Sequence, residues 1–164
     1  MFIYKMNLGG GRAILPFTIT DSQTISVGEA VKLSSGKLVT WGAGEAGLGI
    51  VTAIVKADGS PVTDNGAGGD FVDTYTAGSS NTVMAMVDVS ADSVYSVTQD
   101  ATLGTTTGSG LAGYNTDCLS GSQGLDESTT LATTASFCIV GVDSDPQAPA
   151  NSVLVKIQES QFKL

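Results

Sequence analysis

Apolar positions alternate with polar ones over short stretches of this chain, and clusters of Gly, Ser, Thr and Asp separate the stretches. A period of two predicts half-buried strands rather than helices. From Gln23 the pattern is regular. Ile25, Val27, Ala30, Val31 and Leu33 mark one strand, Ser34-Ser35-Gly36 a turn and residues 38–41 a second strand, together a β-hairpin. Residues 48–55 are a β-branched run suited to a strand buried on both faces, with Gly28, Gly47 and Gly49 marking bulges or close backbone approaches. Further strands are expected at 82–89 and 93–98 around the turn 90–92, at 111–114 and at 137–142. In residues 151–159, Val153, Val155 and Ile157 face inward, and Leu154, Lys156 and Gln158 face the other way. Pro146 and Pro149 make 143–150 a loop, because proline blocks ladder pairing.

About eight short strands with Gly- and Pro-bearing turns predict an all-β domain, a small antiparallel β-barrel or jelly-roll-like sandwich with long polar loops. Residues 21–164 would form it as one domain, and residues 1–20 would form an extended N-terminal arm. Gly9-Gly10-Gly11 divides two apolar ends of that segment and suits a hinge that takes its shape on a partner, an edge strand being the alternative. Residues 58–80 are too long and polar for a hairpin connection and predict an exposed excursion, with Phe71, Val72 and Tyr75 as anchors. Residues 102–110 and 115–135 read as polar, low-complexity connections, the latter interrupted by Leu119, Leu125 and Leu131.

Charge adds a second pattern. Residues 57–152 contain no Lys or Arg but twelve carboxylates, while all seven basic residues lie in the two ends beside four acids. The net charge of −9 is thus polarised along the chain, and clustered cations for a nucleic-acid backbone are missing from its middle. A charged fraction of only 14% with 21 Gly favours strands and turns. No stretch approaches the roughly 18 apolar residues that cross a bilayer, and residues 1–7 lack the features of a signal peptide, so cytosolic synthesis and no membrane partner are expected. Cys118 and Cys138 fit no zinc or redox spacing and are expected as thiols, Cys138 within an apolar run and Cys118 in a turn.

Little here points to catalysis. The chain has no histidine, which removes the commonest general base and the Ser-His-Asp arrangement. Asp126 and Glu127 are the only adjacent carboxylates, and neighbours in a strand point to opposite faces. Gly9-Gly10-Gly11-Arg12 lacks the spacing of a phosphate-binding loop. Asp64-Asn65-Gly66 and Asp143-Ser144-Asp145 offer calcium-type oxygens without the twelve-residue loop or its closing Glu, and read as turns. Trp41 reads as a core plug rather than a sugar platform. No catalytic residue, cofactor or metal is expected.

Four segments carry a family likeness: SVGEAVKLSSGKLVTWGAGEAGLGIV, DVSADSVYSVTQDATL, GLAGYNTDCL and the closing FCIVGVDSDPQAPANSVLVKIQESQF. In pattern and order they resemble the head decoration, or cement, proteins of tailed bacteriophages, over roughly residues 25–162 and without a catalytic signature. The 58–80 insertion and the Gly-rich start are outside that pattern. The resemblance implies a virion protein on the capsid exterior that bridges major capsid subunits, as a homotrimer over local threefold positions. On that reading Phe2, Ile3, Tyr4 and Leu8 enter capsid pockets, Lys5 and Arg12 meet acidic capsid loops, and the acidic middle faces solvent. Other expectations are a head-fibre base or tail protein, or a carbohydrate-binding module built on Phe71, Tyr75 and Tyr114.

Overall fold

The computed structural model describes residues 1–63, 72–79, 82–99, 112–119, 124–126, 136–158, 160 and 161. The stretch 102–110, Leu111, Asp64-Asn65-Gly66, Phe71, Glu127 and Leu131 lie outside them. The chain is all-β with antiparallel sheets, consistent with a β-sandwich, and no closed barrel is found among the described residues.

One sheet has the order β1 (Ile3–Asn7), β9 (Ser93–Thr98), β13 (Ser152–Ile157), β12 (Phe137–Val142), β10 (Asn115–Cys118) and β11 (Leu125–Asp126). A second has the order β2 (Ile14–Thr18), β8 (Val83–Asp88), β6 (Gly49–Lys56), β4 (Ala30–Ser34) and β5 (Lys37–Thr40). This second sheet curls enough for Ile19 to bridge Leu38, so its two end strands meet at one point. The pair β3 (Thr24–Ser26) and β7 (Thr74–Thr76) forms a small third sheet.

Each sheet brings its own core. Tyr95, Val97, Phe137, Ile139, Val153 and Val155 of the first pack with Phe2, Trp41 and Ile50. Val31, Leu38, Val51, Ile54, Ala85 and Val87 of the second pack with Ile19, Ile25 and Leu48. The β4-β5 hairpin turns on Ser35 and Gly36, both at positive φ (51° and 79°) as the right-handed twist of the flanking strands requires. Gly47 lies under the Trp41 ring and Gly49 against the Asp88 carbonyl, so a side chain at either would collide with fixed atoms. Trp41 is a core plug: it is buried, its ring packs on Phe137 at 4.9 Å and its Nε1 donates to the Glu45 carbonyl at 2.7 Å.

Three expectations change. The strand drawn from residue 25 to 33 breaks at Gly28 (φ 75°), and its first part joins β7 in the small sheet instead. The 58–80 excursion therefore contains a strand, held through side chains as well: Thr24 meets Thr76 at 2.8 Å and Ser26 meets Thr74 at 2.9 Å. The strand expected at 111–114 begins at Asn115 and runs through residues that read as polar connection. Thr116 and Asp117 are buried there because their oxygens are satisfied in place: Thr116 Oγ1 donates to the Asp126 carbonyl, and Asp117 Oδ1 accepts from the Ser136 amide and hydroxyl. Cys118 consequently lies in the core and Cys138 is half-buried, the reverse of the expected placing, and both are thiols.

Residues 1–20 pack as two edge strands rather than as a separate arm. β1 pairs with β9 and β2 with β8, one on each sheet, and Gly9-Gly10-Gly11 is the link between the sheets.

Candidate functional site

The N-terminal strands gather the most distinctive surface chemistry. β1 splits its apolar side chains between inside and outside, and the register shift between Tyr4 and Met6 brings Met6 to the same side as Ile3. Phe2, one residue before the strand, is 3% exposed, stacked on Phe137 at 4.9 Å and edge-on to Tyr95 at 6.5 Å. It fills the chain's own core and is not available to a partner pocket. Ile3, Met6 and Leu8 are 45%, 47% and 59% exposed, and Met1 and Ile14 are exposed as well. An edge strand with one ladder partner and a row of exposed apolar side chains is a template for another chain.

Lys5 and Arg12 were expected to meet acidic loops of a partner, and the fold supplies such acids from within. Lys5 Nζ lies 3.1 Å from Asp143 and 2.9 Å from Asp145, which draws the β12–β13 loop back toward the edge strand. Hydrogen bonding to these two carboxylates raises the Lys5 pKa. The same loop makes successive Asx turns, Asp145 N to Asp143 Oδ1 and Gln147 N to Asp145 Oδ1, so its aspartates carry turn chemistry. Arg12 Nε donates to Asp88 Oδ2 at 2.8 Å, and its guanidinium lies 3.8 Å above the Tyr4 ring.

Asp88 is the most deeply placed charge in this region. It is fully buried and also accepts from Ser93 Oγ at 2.9 Å and from the Ser90 amide at 3.1 Å. Burial alone would raise its pKa, but Arg12 and the surrounding hydrogen bonds outweigh it and the net direction is downward. Tyr95 moves the other way: burial and the neighbouring Asp88 charge raise its hydroxyl pKa, and its hydrogen bond to Asp88 acts in the same direction.

These contacts change the meaning of the charge pattern. Two of the cations at the basic N-terminal end are neutralised by Asp88, Asp143 and Asp145 of the acidic middle, because β8 and the β12–β13 loop are their neighbours in space. Lys32 with Glu45 and Lys37 with Asp21 pair locally. Polarity in sequence is therefore mixed in three dimensions at this edge.

Elsewhere the candidates do not assemble. No group of three or more His, Cys, Asp or Glu suited to a metal occurs among the described residues, and no helix long and apolar enough to cross a membrane occurs among them. Of the rings considered for a sugar platform, Tyr75 sits half-buried against the second core and Tyr114 is 40% exposed. Burial pushes the Cys118 thiol up to about 12, aided by the Glu29 and Asp117 carboxylates. No protein-family model, no curated protein and no solved structure matches this chain.

Proposed function

We propose that this chain is a structural virion protein that binds the outer surface of a tailed-phage capsid and stabilises it by bridging major capsid subunits. The observation that carries the reading is the apolar edge: Ile3, Met6 and Leu8 stand exposed on a strand whose inner side is anchored by Phe2. Such an edge offers main-chain hydrogen bonds and apolar contact to another chain, and a cement protein needs a rigid body and a contact segment rather than a reaction. The segment likeness to phage decoration proteins supplies the class of partner. With Lys5 held by Asp143 and Asp145, attachment of this edge rests on the apolar side chains, and carboxylates away from the edge keep decorated particles soluble.

Removing residues 1–11 would be a poor test, because it deletes a strand and a core side chain. The informative variant combines Ile3→Ser, Met6→Ser and Leu8→Ser and leaves Phe2 in place. Purified protein is mixed with undecorated heads assembled from a tailed-phage major capsid protein, and bound copies are counted after sedimentation. Wild-type protein saturates the heads and the triple variant does not. A triple variant that saturates them equally well excludes this edge as the anchor. Light scattering of the free and released protein tests the trimer, which a strict monomer in both states contradicts.

A further inference from the structure

Between β1 and β6 lies a hollow of about 230 Å³, whose walls include Tyr4, Arg12, Gly28, Val51, Thr52 and Tyr95. Among the described residues Arg12 hydrogen-bonds only through Nε, to Asp88, so its terminal nitrogens keep their N–H donors for a ligand. The guanidinium is held in place from two directions. Asp88, fixed by Ser90 and Ser93, grips one edge, and the Tyr4 ring at 3.8 Å fixes its plane. A planar donor pair immobilised in this way matches a carboxylate, and pre-organisation lowers the ordering cost of binding one. Tyr95 lines the same hollow, its hydroxyl turned to Asp88.

A larger cavity of about 380 Å³ adjoins it, sharing Val27 and Thr52. Its walls are mainly apolar, with Ile54, Val55, Pro61 and Val72. Both follow β6, from Ile50 and Val51 at the Arg12 end to Ile54 and Val55 at the other. At about 3.3 Å per residue that separation is roughly 13 Å, the span of three to four residues of extended chain.

We propose that the two hollows form one binding groove for an extended segment of a partner protein, with an Asp or Glu carboxylate on Arg12 and a large apolar side chain in the neighbouring cavity. A free small carboxylate would leave the second cavity empty and the exposed rim of Met1, Ile3 and Tyr4 wet, whereas a chain covers both. This site goes beyond the capsid reading and does not depend on it.

Fluorescence polarisation on the full chain tests the groove without any capsid. The probes are labelled peptides with the core Glu-Ser-Thr-Ser-Phe in Gly-Ser flanks, its one-residue-shorter form, and versions with Gln for Glu or Ala for Phe. One of the two spacings binds, and Gln weakens it by about tenfold or more, the effect of one charge-assisted bond. Arg12→Gln removes that Glu-over-Gln preference. Ala53→Phe, which fills the larger cavity away from Arg12, erases the Phe-over-Ala preference and keeps the preference for Glu, so the test survives if Arg12→Gln fails to fold. Equal binding of Glu and Gln peptides by wild-type protein overturns the proposal. Two other results also overturn it: displacement by millimolar sodium acetate with no dependence on Phe, which identifies a free carboxylate, and concentration-dependent mass growth that Ala53→Phe stops, which identifies a second copy.

Discussion

Replacing Phe2 by alanine separates a packed N-terminal strand from a loose arm. The ring is 3% exposed and touches Phe137 and Tyr95 of the first core, so its loss removes apolar burial, two aromatic contacts and the plug of that end of the sheet. A fully buried Phe→Ala change costs about 3–5 kcal/mol, including the cavity left behind. β1 is an edge strand, however, held on one side only by β9, and edge elements of this kind open locally at free energies up to the global one. The observable cost is then capped by the free energy of that local opening, which brings it toward the lower end, about 3 kcal/mol. For a domain of this size that lowers the melting temperature by roughly 6–12 °C. Urea unfolding gives the stability, and hydrogen exchange shows where it is lost: amides of β1 lose protection in the variant while those of β13 follow the global change. Ile3→Ala is the control, since Ile3 is 45% exposed and its truncation costs under about 0.5 kcal/mol. A Phe2→Ala variant as stable as that control, with β1 amides unprotected in both proteins, would refute the packing argument and restore a free arm.

Other consequences follow from the same contacts. Because the Asp88 pKa is depressed in the folded state, its ion pair and hydrogen bonds contribute stability above the ordinary carboxylate range, and this is lost as pH falls through the folded pKa. The urea midpoint should therefore drop on acidification, and Asp88→Asn should flatten that part of the profile; an unchanged slope would place the acid sensitivity elsewhere. Gly49→Ala should destabilise by about 2 kcal/mol or more, since its Cβ meets the Asp88 carbonyl between paired strands, and an unchanged melting temperature contradicts that packing. A thiol reagent at pH 8 should modify half-buried Cys138 while Cys118, buried and with its thiol at about 12, reacts only on unfolding; equal rates would put Cys118 outside the core.

The amino-acid sequence by itself determined the class and several elements, because these depend on local information. Alternation in residues 152–157, the Ser35-Gly36 turn and the two prolines after β12 are each legible within a few residues, as are the close approaches at Gly47 and Gly49. Strand β10 was hidden, since its buried Thr116 and Asp117 look like loop residues until Asp126 and Ser136 arrive from elsewhere in the chain to satisfy them. The candidate site was legible only as a list of residues. Tertiary structure decided that Phe2 points into the core while Ile3, Met6 and Leu8 point out, that Lys5 is taken by Asp143 and Asp145, and that Arg12 is half taken by Asp88. It also placed Arg12, Tyr95 and β6 around one hollow. Charges far apart along the chain attract only once the sheets set them a few ångströms apart, so the linear polarity could not foretell which cations stay available.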